Sequence, residues 1–246
     1  MTVSSCATPE EYRQNVRIQD TGTYDILLKG GHVIDPANSI NSLMDVAVKE
    51  REIALVGKDI PAGEAKRTID VSGLYVTPGL IDMHIHAFFS LNLFGHGAGS
   101  FTFRHAVPAI EQGYLADSIS ADIYCGSYPS VVSMNNVMSK FLNIGMTLED
   151  VIRRTTVNPA HIISHPELGT LSVGSAADIA MLELQQGDFG YYDSQRGKIR
   201  GDKRLQAVMT LLEGQVIFDL NAMDKTIWED IPKDDRYWKN SNDQTW

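Results

Sequence analysis

The chain has 246 residues, 43% of them hydrophobic, and a formal net charge of −10. That length holds one large domain or two modest ones, and that apolar content supports a sizeable core and excludes wholesale disorder. The acidic balance excludes nucleic acid and anionic membrane as main partners, because phosphate recognition needs basic patches.

Residues 1–22 are polar and aperiodic and read as a flexible arm, without the apolar stretch of a signal peptide. Tyr24–Lys29 and His32–Asp35 then read as strands separated by Gly30-Gly31. Met44–Lys49 and Glu52–Gly57 alternate like a hairpin turning at Glu50-Arg51, and Arg67–Val71 and Leu74–Thr77 follow. Short strands at this spacing predict a small β-sandwich. Leu80–His86 is an apolar run ending in histidines. Leu91–Phe94 reads as another strand, followed by the glycine loop Gly95–Gly99. Phe103–Gln112 has helical spacing with Pro108 inside it and Gly113 as C-cap. Ser118–Ile123 reads as a third buried strand, so that strand, glycine loop, helix and strand outline a βαβ unit.

Helices are expected over Val131–Asn143, ended by Gly145, and from Thr147, whose hydroxyl and Asp150 form a capping-box variant. That helix stops before Asn158-Pro159, with one further turn at Ala160–Ser164. Strand-like text returns at Gly169–Val173, Ile179–Leu184, Gln206–Leu212 and Gln215–Asp219, the last pair joined by Glu213-Gly214. The acidic remainder, 221–246, has no clear period. No run approaches the ~20 apolar residues of a membrane span. The two cysteines, Cys6 and Cys125, are far apart and fit a reducing compartment. A cytoplasmic protein is expected.

His84 and His86 are two apart at the end of an apolar strand, so their imidazoles point to one side and can share a metal ion. A His-x-His pair taken alone is more often just two polar residues at a strand exit. The text around it reads Thr77-Pro78-Gly79-Leu80-Ile81-Asp82-Met83-His84-Ile85-His86. Upstream stand DILLKGGHVIDP and DVAVKEREIALVG; downstream stand Asn158-Pro159-Ala160 and Gly169–Ile179. In these segments the sequence resembles the amidohydrolase superfamily, nearest its deacetylase or dihydroorotase-like subgroup. The resemblance covers roughly residues 24–220, less a missing middle.

The resemblance implies an α/β fold: a (β/α) barrel fused to a β-sandwich built from both chain ends. On that reading 23–79 and 166–220 form the composite sandwich, 80–165 form the barrel, and 221–246 are an acidic tail. It also implies that His84, His86 and Asp122 are metal ligands. Asp122 would take the proton of the bound water and pass it to the leaving group, while the metal acidifies that water and polarises the carbonyl. Asp117 is the nearby competitor but precedes its strand and reads as a cap. His96 and Gly97, in the glycine loop, would line the substrate pocket; a tight βα turn explains them equally well. His32, His105, His161 and His165 have no partner at metal spacing and read as structural or surface residues, and Cys125 as packing.

The chain departs from the family in one respect. Leu80–His165 is less than half of the ~250 residues that a (β/α)₈ barrel uses. It has room for about three βα units at ~30 residues each, which by resemblance are the first, seventh and eighth. Only Ala87-Phe88-Phe89-Ser90 join His86 to Leu91, whereas a parallel crossover needs at least ~10–12 residues. The expectation is therefore an incomplete TIM-type barrel. Its three remaining ligands would hold one divalent ion, zinc, at most, and its open edges would favour homo-oligomers. The implied activity is metal-dependent hydrolysis of an amide or ester in a small acylated substrate. The competing readings are a non-catalytic binding or structural homologue and a gene-model or splice product.

Overall fold

A computed structural model describes residues 22–83, 101–123 and 130–230. The expected strand Leu91–Phe94, the glycine loop, Cys6, Cys125 and most of the N-terminal arm and acidic tail lie outside the described residues.

The N-terminal half of the sheet comprises β1 (Tyr24–Asp35), β2 (Ile40–Lys49), β3 (Glu52–Gly57), β4 (Ala65–Asp70) and β5 (Tyr75–Pro78). Gly30-Gly31 does not end the first strand. Gly30 takes a left-handed φ of 77°, and the register against β2 shifts there, so the pair becomes a bulge inside one long strand. The β2–β3 turn falls at Glu50-Arg51 as expected, both residues with positive φ. Backbone of that hand matches the twist of a tight hairpin.

The C-terminal half comprises β6 (Ile179–Tyr192), β7 (Lys198–Leu212) and β8 (Gln215–Asp219). The β6–β7 hairpin is far longer than the apolar runs Ile179–Leu184 and Gln206–Leu212 suggest. Its outer half, with Gln185, Gln186, Gly187 and Asp188, is largely exposed and so lacks alternation, yet it pairs out to Tyr192↔Lys198. The expected strand at Gly169–Val173 is absent. A 3₁₀ turn at Pro166–Gly169 runs into irregular backbone, whose Leu171 N–H goes to the Asp35 carboxylate rather than to a ladder.

In strand pairing the two chain ends form one mixed sheet, in the order β3-β2-β1-β5-β6-β7-β8 with β4 also beside β1. The halves are joined where β5 pairs antiparallel with β6, Tyr75 opposite Leu182. The sheet wraps: Ile53 of β3 exchanges hydrogen bonds with Gly174 and Ser175, just before β6. Val46 and Val48 of β2 thereby share a core with Ile179, Met181, Met209 and Leu211. The alternate residues Ala180 and Leu182 face the other way, into a second core with the helices.

Those helices are α1 (Phe103–Glu111), α2 (Met134–Asn143), α3 (Leu148–Thr155) and α4 (Val157–Ile162). Helix α1 carries Pro108 and ends as expected at Gly113, whose N–H bonds Ile110 O while Tyr114 N–H bonds Ala109 O. Helix α2 starts three residues later than its apolar pattern, because Ser133 caps it by accepting Asn136 N–H at 3.0 Å. Thr147 caps α3 through Asp150 N–H at 3.0 Å. Asn158-Pro159 does not exclude a helix: Pro159 lies in the first turn of α4, where no N–H is needed. Met138 and Phe141 of α2 and Val151 and Ile152 of α3 fill the second core. Among the described residues, no helix is long and apolar enough to cross a membrane.

Candidate functional site

The predicted ligands His84 and His86 and the predicted substrate-loop residues His96 and Gly97 lie outside the described residues. Asp122 lies within them. It is 7% exposed and has a left-handed backbone, φ 52°. Non-glycine residues adopt that conformation uncommonly, and buried instances cluster where side-chain direction matters.

The segments on either side of the site take their hydrogen bonds from a helix end. Neither Leu80–Met83 nor Ser118–Ile123 forms a strand, apart from an isolated bridge at Ser120. This corrects the expectation of a buried strand over Ser118–Ile123 and over the described part of Leu80–His86. The reason is in the partners: Ile81 N–H bonds Thr155 O at 2.8 Å, and Ile119 N–H bonds Arg154 O at 2.9 Å. The last carbonyls of α3 lack intrahelical donors, so they accept these N–H groups. Arg154 Nε adds a bond to Ala116 O at 2.7 Å, and Asn158 Nδ2 reaches Asp117 O at 2.6 Å.

One side chain links the two segments directly. Asp82 Oδ1 accepts Ala121 N–H at 3.1 Å. The chain that runs into His84 is thus held beside the residue preceding Asp122. Nothing in composition or period marked Asp82; the available signal was its place two residues before His84 in the motif. Asp117 bonds through its backbone carbonyl to Asn158. Among the other histidines, His105 bonds Thr102 Oγ1 at 2.7 Å, His32 bonds Asn41 at 2.7 Å and His165 pairs with Glu167 at 2.8 Å. Glu167, hydrogen-bonded to that histidine, is held below the usual carboxylate range.

Among the described residues, no three His, Cys, Asp or Glu side chains gather as a metal-binding group. A buried carboxylate in a fixed backbone conformation suits a hard or borderline divalent ion, and two imidazoles beside it would complete a three-ligand zinc set. A separate cavity of about 660 Å³ lies between the start of α2 and the β6–β7 hairpin, lined by Asn135, Asn136, Phe189 and Arg204 among others. It contains none of the predicted site residues.

Residues 101–217 match the model of the amidohydrolase family, a stretch that includes Asp122 and leaves out His84 and His86. A dihydroorotase of Geobacter metallireducens is 47% identical over 62 residues, 25% of this chain and 15% of the relative. A deacetylase of Brucella anthropi is 41% identical over 102 residues, 41% of this chain and 25% of the relative. The matches thus span a quarter or less of these curated relatives. In fold, the chain resembles the crystal structure of an adenine deaminase, with TM-score 0.70 at 18% identity, covering 80% of this chain and 100% of that one. It also resembles a dihydroorotase structure, with TM-score 0.68 at 15% identity, covering 79% of this chain and 99% of that one. Just under half of the chain thus matches the amidohydrolase family in sequence, and most of its length has the fold of these solved structures.

Proposed function

We propose that the chain is a metal-dependent hydrolase acting on the amide or ester bond of a small acylated molecule, deacetylase-like in substrate class. The observation that carries this reading is the Asp82–Ala121 hydrogen bond. It holds the segment entering His84 against the segment that ends in Asp122, the adjacency a shared ligand set requires. Zinc is the proposed metal, one ion at most, held by His84, His86 and Asp122. When bound, it would acidify a water and polarise the scissile carbonyl.

The chain's own residues do the rest. Asp122, buried and fixed in direction, takes a proton from the attacking water and delivers it to the leaving nitrogen or oxygen. His96 and the Gly97 backbone contact the substrate; glycine permits the close approach. The helices and the segments docked on α3 are read as what remains of the barrel region, without barrel strands among the described residues, and the sheet as the sandwich of both chain ends. Association between copies belongs to the same proposal, because a shortened barrel would leave open edges. Low cysteine use supports a cytoplasmic location.

The test is hydrolysis of N-acetylated amino acids by zinc-loaded protein. Turnover above the metal-free control is expected, with Asp122→Asn lowering kcat by ~10²-fold or more, the usual worth of a positioned acid–base group. No turnover on any acyl substrate with zinc present would favour the reading as a binding or structural homologue.

A further inference from the structure

We propose that the cavity between the start of α2 and the β6–β7 hairpin binds a small zwitterion of the α-amino-acid class. The cavity holds two opposite charges that do not meet. Asp188 and Arg204 both line it, yet no ion pair joins them, and the Asp188 carboxylate has no hydrogen bond or ion pair to any described residue. Arg204 uses only Nε, on Gln185 Oε1 at 2.9 Å, so among the described residues its two terminal nitrogens have no acceptor. A ligand with a single charge would meet one of these groups and be repelled by the other. A ligand with both, a carboxylate for Arg204 and an ammonium for Asp188, is attracted by each.

The outer hairpin holds the guanidinium in place. The register of β6 against β7 shifts between Gln186 and Phe189, and such a bulge re-aims the side chains around it. The Phe189 ring lies over Gly187, where a Cβ would stand 2.9 Å from the ring. That ring carries Arg204, whose guanidinium carbon is 4.5 Å from its centre. Gln185, which accepts from Arg204 Nε, is itself fixed by its Nε2 bond to Glu183 at 2.8 Å. An arginine already held by a ring and a hydrogen bond loses less freedom when a carboxylate arrives, and its planar fork suits that group. The volume, about 660 Å³, lies in the range of small-molecule pockets. Val132, Leu205 and Ala207 add apolar wall for the rest of the ligand. None of these residues belongs to the proposed metal site, so the inference does not depend on the hydrolase reading.

The test is titration calorimetry on the full chain with three probes: leucine, N-acetylleucine, which lacks the ammonium, and leucinamide, which lacks the carboxylate. Leucine is expected to bind, and each analogue to bind ~10-fold or more weakly, the worth of one charge-assisted contact. Asp188→Asn should erase the preference for leucine over N-acetylleucine while keeping the preference over leucinamide. Arg204→Gln should do the reverse. Both side chains are exposed, so both variants should keep the wild-type urea midpoint. The comparison of the three probes on the wild-type chain stands whether or not a variant folds. No binding of leucine at millimolar concentration overturns the proposal, as does equal affinity for leucine and either analogue. Folded variants that weaken all three probes alike overturn it too, because the two charges would then not be reading the two ends of the ligand.

Discussion

Asp35→Ala is expected to destabilise the fold by about 3 kcal/mol in urea unfolding. The residue is fully buried and terminates β1. Its carboxylate accepts Leu171 N–H at 2.8 Å, Ala37 N–H at 3.1 Å and Asn38 Nδ2 at 2.6 Å, with Thr170 Oγ1 at 3.4 Å. A hydrogen bond to a charged group contributes roughly 1.5–3 kcal/mol, and an orphaned buried donor costs roughly 1–3 kcal/mol. The buried Leu171 N–H is the donor most exposed to that penalty, since its neighbours leave no route to water. The effect is global because the bond spans 136 residues: it ties the return segment before β6 to the first strand. Asp35→Asn keeps one acceptor oxygen and should lose less. A loss below about 1 kcal/mol for the alanine variant would show that this segment is held by Leu171 burial alone.

The second large effect is a dependence on pH. Lys140 of α2 is 1% exposed. Its ammonium bonds Ser130 O at 2.5 Å and lies 5.6 Å from the centre of the Phe101 ring. Burial lowers its pKa from 10.5 to about 8, against the nearby Asp193 carboxylate, which favours the charge. Below pH 8 both folded and unfolded chains carry the proton, and the full penalty of burying the charge is present. Between about 8 and 10.5 the unfolded chain binds more protons than the folded one, so stability rises with pH. The limb amounts to about 3 kcal/mol, at about 1.4 kcal/mol for each pKa unit. Lys140→Met lacks the titrating group and should lack the limb. The wild-type stability minus that of the variant should therefore climb by about 3 kcal/mol from pH 7.5 to 10.5. Tyr191, whose pKa burial pushes up, costs stability above pH 10 in both proteins and cancels in the difference. A flat difference across that range would show that the ammonium is hydrated in the folded state.

Much of the sheet was legible because its strands alternate over a buried face. Glu50-Arg51 and Glu213-Gly214 mark turns that fall where the text places them. The β6–β7 hairpin was only half legible: Gln186, Gly187 and Asp188 are exposed and interrupt the apolar pattern before Tyr191 returns to the core. Gly169–Val173 misled because apolar residues at every second position also suit an irregular segment whose N–H groups are met by a side chain, here Asp35. Ser118–Ile123 and Leu80–Met83 misled for a related reason. They have the apolar composition of buried strands, but one backbone donor of each, Ile81 N–H and Ile119 N–H, is taken by a carbonyl at the end of α3, and Ala121 N–H by Asp82.

Of the proposed site, the sequence reading named the residues and the structure adds one adjacency, Asp82 to Ala121. Asp122 could be named from its motif, yet its left-handed backbone has no sequence signature, since aspartate tolerates that conformation but adopts it only occasionally. Asp82 was readable only as a letter in PGLID; that it reaches across to Ala121 depends on how α3 docks the two segments. Lys140 was equally hidden, because a lysine late in an amphipathic helix ordinarily snorkels to water. Here the helix packs with that position facing Phe101.

The most direct test of the account is metal stoichiometry. Full-length protein loaded with zinc and dialysed against metal-free buffer should retain about one ion per chain, the most that three ligands with an open position support. His84→Ala and Asp122→Ala should each retain almost none while unfolding at the wild-type urea midpoint. Zinc retained equally by wild type and both variants, or by none of them, would contradict a shared site formed by the histidine pair and Asp122.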